Sequence, residues 1–97
     1  MSDFIFTWDE DKANLNNEKH KIKFTEAQTV FRDEHLLYGL DTEHSINEER
    51  FYAIGMSTHP HLLTVIHCVM VDGITVRIIS ARKANKAETL QYERRKI

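Results

Sequence analysis

The sequence predicts an α+β fold, formed as a single domain over residues 1–97. Three observations predict it. Apolar residues recur at helical spacing through Phe24, Ala27, Val30 and Phe31. Two β-branched, mostly apolar runs, Leu62 to Val71 and Ile74 to Ser80, flank Asp72-Gly73, a strong hairpin signal. A charged segment beginning Asn85-Lys86-Ala87-Glu88 then carries a helix-capping pattern.

Length and composition fit one modest core. The chain has 97 residues, 41% hydrophobic and 29% charged, which excludes a disordered chain. No run of eighteen apolar residues offers a membrane span. Met1-Ser2-Asp3-Phe4 lacks the basic and apolar segments of a secretion signal. A single cysteine, Cys68, cannot form an internal disulfide. Together these predict a cytoplasmic protein. The net charge is −2, but it is unevenly spread. Residues 1–74 hold six basic and thirteen acidic side chains; residues 75–97 hold seven basic and two acidic ones. The chain is therefore an acidic body with a basic end. Taken alone, that asymmetry fits a solvated basic helix better than a binding surface.

Phe4 to Trp8 is short, aromatic and partly β-branched, and reads as a strand. Asp9 caps a polar surface helix running to about His20, with Glu10 and Asp11 at the positive end of its dipole. Thr25-Glu26-Ala27-Gln28 matches a capping box for a second helix that closes at Asp33-Glu34. Leu36 to Leu40 reads as a short strand, Asp41 to Glu49 as a loop, and Phe51 to Ser57 as a strand. The last helix runs from Lys86 towards the end, with Ala87, Leu90 and Ile97 facing inward.

With Asp72 and Gly73 as turn residues, Val71 pairs with Ile74 and Cys68 with Arg77. His67 then points to one face of the hairpin and Arg77 to the other. A mid-strand arginine needs a partner, because an unpaired buried charge is very costly. That partner is a carboxylate such as Glu88, backbone carbonyls, or a phosphate gripped by the guanidinium fork. His67 is read either as a hydrogen-bonded core histidine or as a general base. His59 and His61 sit in a turn around Pro60, and Cys68 is a small core residue. Neither His59-Pro60-His61 nor His67-Cys68 has closed-zinc-site spacing. No glycine-rich phosphate loop is present.

Taken in order, the motifs resemble the BrnT family of bacterial type II toxins. The resemblance rests on Trp8-Asp9 with Lys12 and Asn16, Lys19-His20, Phe24-Thr25-Glu26-Ala27, Val30-Phe31 with Asp33, Glu49-Arg50 and Ile54-Gly55-Met56-Ser57. It continues through Leu62 to His67, Arg77-Ile78-Ile79-Ser80-Ala81-Arg82-Lys83-Ala84, Glu88 and Tyr92. The resemblance implies a RelE-like fold: an antiparallel sheet with two N-terminal helices and one C-terminal helix. It implies a ribonuclease that blocks translation and needs no cofactor. It also implies a BrnA-like ribbon-helix-helix antitoxin that forms a hetero-oligomer with the toxin and alone contacts DNA. The alternative is a non-catalytic module of the same fold that binds RNA or protein. Within the motifs, Trp8, Ala27, Phe31 and Gly55 are expected in the core or in turns.

Cleavage of RNA without a metal needs a base, an acid and cations for the developing negative charge. The sequence offers Arg77 and Arg82 as phosphate stabilisers and His67 or His20 as acid or base. Lys12, Lys19, Arg50, Lys83 and Tyr92 are candidates for contacting RNA. Lys12, Asn16, Lys19 and His20 form a helical stripe that either borders an RNA groove or is simply solvated. Tyr92 either stacks on a base or anchors its helix.

Overall fold

The computed structural model describes residues 4–43, 45 and 47–96. Five strands form one sheet in the order β1-β5-β4-β3-β2: β1 Ile5–Thr7, β2 Leu37–Leu40, β3 Phe51–Met56, β4 Leu62–Val69 and β5 Thr75–Lys83. Helices α1 (Glu10–His20) and α2 (Phe24–Ala27) precede β2, and α3 (Lys86–Lys96) follows β5. The α+β expectation holds, and β2 to β5 are antiparallel neighbours. The edge strand β1 departs from that pattern, because it runs parallel to β5 from Ile5↔Thr75 to Thr7↔Arg77. It places Phe6 beside Val76 and against Phe31, whose ring centroid lies 5.2 Å away.

The first helix begins as expected. Asp9 accepts the backbone N–H of Lys12, and Lys21 ends the helix in the left-handed region at φ 61°. The second departs from expectation. Lys23 is the N-cap and makes no side-chain cap, so Thr25 lies inside the helix and its capping box does not form. Burial of Phe24 sets the N-cap two residues earlier, and the chain continues as a 3-10 segment, Gln28–Arg32. Phe24, Ala27 and Val30 are buried as their spacing requires, joining Ile22, Leu63, Val65, Ile78 and Ala81 in the core. Gly55 lets this segment approach β3. A Cβ there would lie 2.8 Å from Leu36 Cδ1 and 3.1 Å from the Val30 carbonyl oxygen.

The hairpin keeps the expected register, with Cys68 opposite Arg77 and Val69 opposite Val76. Its connection is wider than two residues, however: the last backbone bond runs from Met70 N–H to the Thr75 carbonyl at 2.8 Å. The Asp72 carboxylate accepts from the N–H groups of Ile74 and Thr75 and from the Thr75 hydroxyl. Gly73, at φ 75°, supplies the positive φ of the turn. Val71 and Ile74 leave the ladder, one from each strand, so the register and the two faces are unchanged.

Further along, Ile66 pairs with Ser80 while His67 pairs with Ile78, leaving Ile79 as an extra, unpaired residue. This bulge inverts the alternation along β5. Arg82 pairs with Thr64, and Arg77 pairs with Cys68. Thr64 and Cys68 lie four residues apart on an unbulged strand, so both arginines share one face. Without Ile79 they would point apart.

Asn16 closes the edge that β1 leaves open. Its amide donates to the carbonyls of Ala81 (2.9 Å) and Ile22 (3.0 Å), and its oxygen accepts the Ala81 N–H (3.0 Å). Ala81 lies beyond the last β1 rung, at Arg77. The amide therefore acts as a one-residue strand on an otherwise unpaired backbone. Asn16 is 6% exposed, which removes it from the solvated stripe expected on α1.

The last helix carries the expected capping box: Asn85 Oδ1 accepts the Glu88 N–H and Glu88 Oε1 accepts the Asn85 N–H, both at 2.8 Å. Its inward face differs from expectation. Ala87 and Leu90 are exposed, while Glu88 and Tyr92 turn inward; Ile97 lies outside the described residues. Polar anchors rotate the helix, since Glu88 binds Arg82 and Thr64, and the Tyr92 hydroxyl donates to Asp33.

Asn16→Ala should strand two carbonyls and one N–H in the interior. Unsatisfied buried polar groups cost about 1–3 kcal/mol each before relaxation, so the expected loss is about 3 kcal/mol in urea unfolding. A variant as stable as wild type would show that the edge of β5 does not need this amide.

Candidate functional site

The face shared by Arg77 and Arg82 lies opposite the face covered by α1 and α2. α3 docks on one end of it, where Arg82 forms a two-pronged pair with Glu88: Nη1 to Oε1 at 2.7 Å and Nη2 to Oε2 at 2.9 Å. The Thr64 hydroxyl donates to the same carboxylate at 2.9 Å. With the Asn85 N–H added, the Arg82 fork holds the Glu88 carboxyl down at about 2, against the cost of its burial. The fork of Arg82 is thus filled by an internal carboxylate.

Arg77 is held differently. Its Nη2 meets Oε1 of Glu48, a residue of the loop before β3, and lies 3.7 Å from the Cys68 sulfur. The same Glu48 oxygen is 3.9 Å from Arg50 Nη2. One carboxylate therefore bridges two guanidinium groups, a geometry that suits a phosphate equally well. The side chains of Arg77 and Glu48 are 40% and 42% exposed, so their attraction is weakened by water. The expected carboxylate partner for Arg77 is present, but it is Glu48; Glu88 belongs to Arg82.

His67 occupies the opposite face, as the register requires. It is 4% exposed, with Phe31 at 5.0 Å edge-on and Phe51, its cross-strand partner, at 6.0 Å. Its Nδ1 approaches the Val65 carbonyl at 3.4 Å. Burial pushes its pKa below the ordinary histidine value, partly opposed by that carbonyl. The ring is a core element on the face away from the arginines. Tyr92 is also buried, at 2% exposure, and burial together with its bond to Asp33 raises its pKa strongly. It anchors α3 and presents no face for a base to stack on. Lys12, Lys19 and Lys83 are exposed, while His20 is half-buried in the last turn of α1. The α1 residues lie on the helix-covered side, away from Arg77, so the candidates of the sequence divide between two sides of the sheet.

A third cluster had no sequence signal. Glu26 Oε2 accepts the Ser57 hydroxyl at 2.6 Å and meets His61 Nδ1 at 2.7 Å. Burial raises the Glu26 carboxyl, but the Ser57 and His61 bonds outweigh it and the net shift is downward. The two partners are 31 and 35 residues from Glu26. Only the meeting of α2 with the β3–β4 loop reveals them. Among the described residues, no three His, Cys, Asp or Glu side chains are grouped to hold a metal ion, and no helix is long and apolar enough to cross a membrane.

Comparison with known proteins adds two findings. A profile described as "Ribonuclease toxin, BrnT, of type II toxin-antitoxin system" matches residues 8–88. The crystal structure of the Brucella abortus ribonuclease toxin BrnT is similar, with a TM-score of 0.64 and 24% identity, covering 86% of this chain and 99% of that one. None of the curated proteins matches.

The buried imidazole makes a prediction about acid stability. Its folded pKa lies below the unfolded value, so below about 6.5 the unfolded chain binds more protons and stability falls with falling pH, until the folded pKa is passed. In urea unfolding at pH 5.5 and 7.5, His67→Asn should show a smaller difference between the two pH values than wild type. An equal difference would mean that His67 does not contribute to the acid sensitivity.

Proposed function

The chain belongs to the BrnT family of type II toxin–antitoxin ribonucleases, and from that premise we propose that it is a metal-independent endoribonuclease toxin that inhibits translation. Its cleavage of RNA is held in check by a BrnA-like ribbon-helix-helix antitoxin. The antitoxin forms a hetero-oligomer with the toxin and carries whatever contact the complex makes with DNA. The observation that carries the RNA reading is the Arg77–Glu48–Arg50 arrangement on the open sheet face. An RNA phosphate takes the place of the Glu48 carboxylate between the two guanidiniums, and Glu48 swings out with its loop. Arg82 shares the face, but its fork is already filled by Glu88, so the exchangeable grip is Arg77 with Arg50. Lys12, Lys19 and Lys83 are exposed but lie off the arginine face, so in this reading they contact RNA only beyond the phosphate held by Arg77 and Arg50. The basic end of the sequence supplies only part of this grip, because Arg50 comes from the acidic body.

Electrostatic capture of phosphates depends on salt, with roughly one unit of log–log slope per phosphate contact. Purified protein should cleave single-stranded RNA in excess chelator. Arg77→Ala should bind RNA about tenfold more weakly at low salt and reduce the salt slope by about one. Glu48→Gln should bind more tightly than wild type. Wild-type affinity in both variants would remove this face from the RNA site. Binding without cleavage by the wild-type protein would favour a non-catalytic RNA-binding module, and cleavage lost to chelator would overturn metal independence.

A further inference from the structure

Among the described residues, the arginine face offers guanidiniums and the carboxylates that pair with them, and no histidine. His67 lies in the core, and Glu88 is held as a carboxylate by Arg82. We propose that the Glu26–His61 pair is the acid–base centre of phosphodiester cleavage, with His61 as the catalytic base and Glu26 as its positioning residue; this rests on the ribonuclease reading above.

Three features distinguish the pair from an ordinary loop anchor. First, the imidazole is oriented: Nδ1 is bound to a carboxylate that is itself fixed by the Ser57 hydroxyl, and the backbone N–H of His61 donates to the same hydroxyl oxygen at 3.1 Å. The Glu26 side chain is 11% exposed and that of His61 is 40% exposed, so the carboxylate is sheltered while the ring reaches solvent. Second, the opposite nitrogen, Nε2, has no partner among the described residues. Among these residues, no other histidine has a ring nitrogen within hydrogen-bonding distance of a carboxylate; the His35–Glu34 approach is 3.9 Å. A carboxylate on one ring nitrogen with the other left open is the arrangement by which proteins orient a general base and stabilise the cation that it becomes. Third, Glu26 lines a groove with Asn17, Lys21, Lys23, Thr25 and His59, and His61 adjoins that groove through its bond to Glu26. Lys21 and Lys23 bring cations to this groove, and His59 lies near enough to act on Glu26 electrostatically. Lys21 is fixed there by its left-handed backbone at the end of α1.

The chemistry that fits these groups is transfer within RNA itself. The ribose 2′-OH gives its proton to His61 Nε2 as its oxygen bonds to the adjacent phosphorus. The bond from phosphorus to the 5′-oxygen breaks, and that oxygen takes a proton from solvent. The products are a 2′,3′-cyclic phosphate and a 5′-hydroxyl, and the protonated His61 returns its proton to water. Lys21 and Lys23 neutralise the charge gathering on the phosphoryl oxygens. His61 immediately precedes β4, and Arg82 pairs with Thr64 three residues further on. Arg77 pairs with Cys68, seven residues beyond His61, so in this proposal the phosphate held there and the phosphate cleaved at the pair are different phosphates of one RNA strand.

The test is single-turnover cleavage of single-stranded RNA at saturating protein, with RNA binding measured in parallel. His61→Ala should slow the chemical step by about 100-fold, within the range for loss of a general base, while RNA affinity stays as in wild type. Added imidazole should restore part of the rate. Glu26→Gln removes the charge beside the ring, so the acid limb of the rate profile should move to lower pH; Lys21, Lys23 and His59 remain in place to set the rest of that profile. His61→Ala cleaving at the wild-type rate, with wild type active, overturns the pair and leaves the ribonuclease reading standing. A slow His61→Ala that imidazole does not rescue also overturns it, and makes His61 a loop anchor. A wild-type protein that cleaves no RNA overturns both readings.

Discussion

The side-chain amide of Asn16 holds the two halves of this molecule together. β1 is only three residues long, and among the described residues no strand lies beside the outer edge of β5 past Arg77. An amide carries a donor and an acceptor at the spacing of a peptide group, so one side chain completes a backbone rung. The same amide also takes the carbonyl of Ile22, which fixes the chain between α1 and α2. Sheet edge, first helix and helix connection thus share one residue. α1 has little apolar surface of its own, with Leu15 64% exposed, and polar anchoring has to take the place of an apolar stripe.

With the edge of β5 secured, the bulge at Ile79 decides what each face carries. It keeps Val76, Ile78 and Ala81 all in the core despite the odd spacing between the last two. The same shift brings Arg77 and Arg82 to the other face. Two carboxylates then fasten the periphery. Asp33 accepts from Tyr92, Met56 and His35, so α3, β3 and the chain before β2 meet at one group. Its net pKa shift is downward, because those donors outweigh its burial. Glu88 does the same for β4, β5 and the start of α3.

Much of this was legible in the sequence, and the boundary is physical. Local signals held: the Asp9 cap, the Asn85 box, the apolar spacing from Phe24 to Val30, and the hairpin register to Cys68 and Arg77. Each depends on residues a few positions apart. What failed depended on distant partners. The inward face of α3 was misread because Ala87 and Leu90 are the apolar residues, whereas Glu88 and Tyr92 have partners waiting on the sheet and beside it. Thr25 was misread as a cap because burial of Phe24 moves the helix start. The parallel direction of β1 depends on which edge of the sheet is vacant, and three residues do not encode that. The bulge had no marker either, since Ile79 is neither glycine nor charged. For the site, Arg77 and Arg82 were visible as residues, but their common face was not, and Glu26, Ser57 and His61 gave no sign that they meet.

A net charge of −2 is at first sight the wrong sign for the proposed grip on RNA. The structure resolves the conflict through the places where the carboxylates go. Glu88 and Glu48 each sit on an arginine, yet the two contacts differ in kind. Glu88 is sheltered, bound by both arms of Arg82, and also needed by Thr64 and the Asn85 N–H. Removing it would break four contacts at once. Glu48 is half-exposed on a loop, and exposed pairs of this type contribute about 0–1 kcal/mol. A phosphate that meets Arg77 and Arg50 together has only that small preference to overcome. The acidic body therefore does not cancel the basic end uniformly. It locks one arginine into the fold and leaves the other in a weaker, exposed pair, so the proposed hold on phosphate depends on the strength of individual pairs and not on the sum of charges.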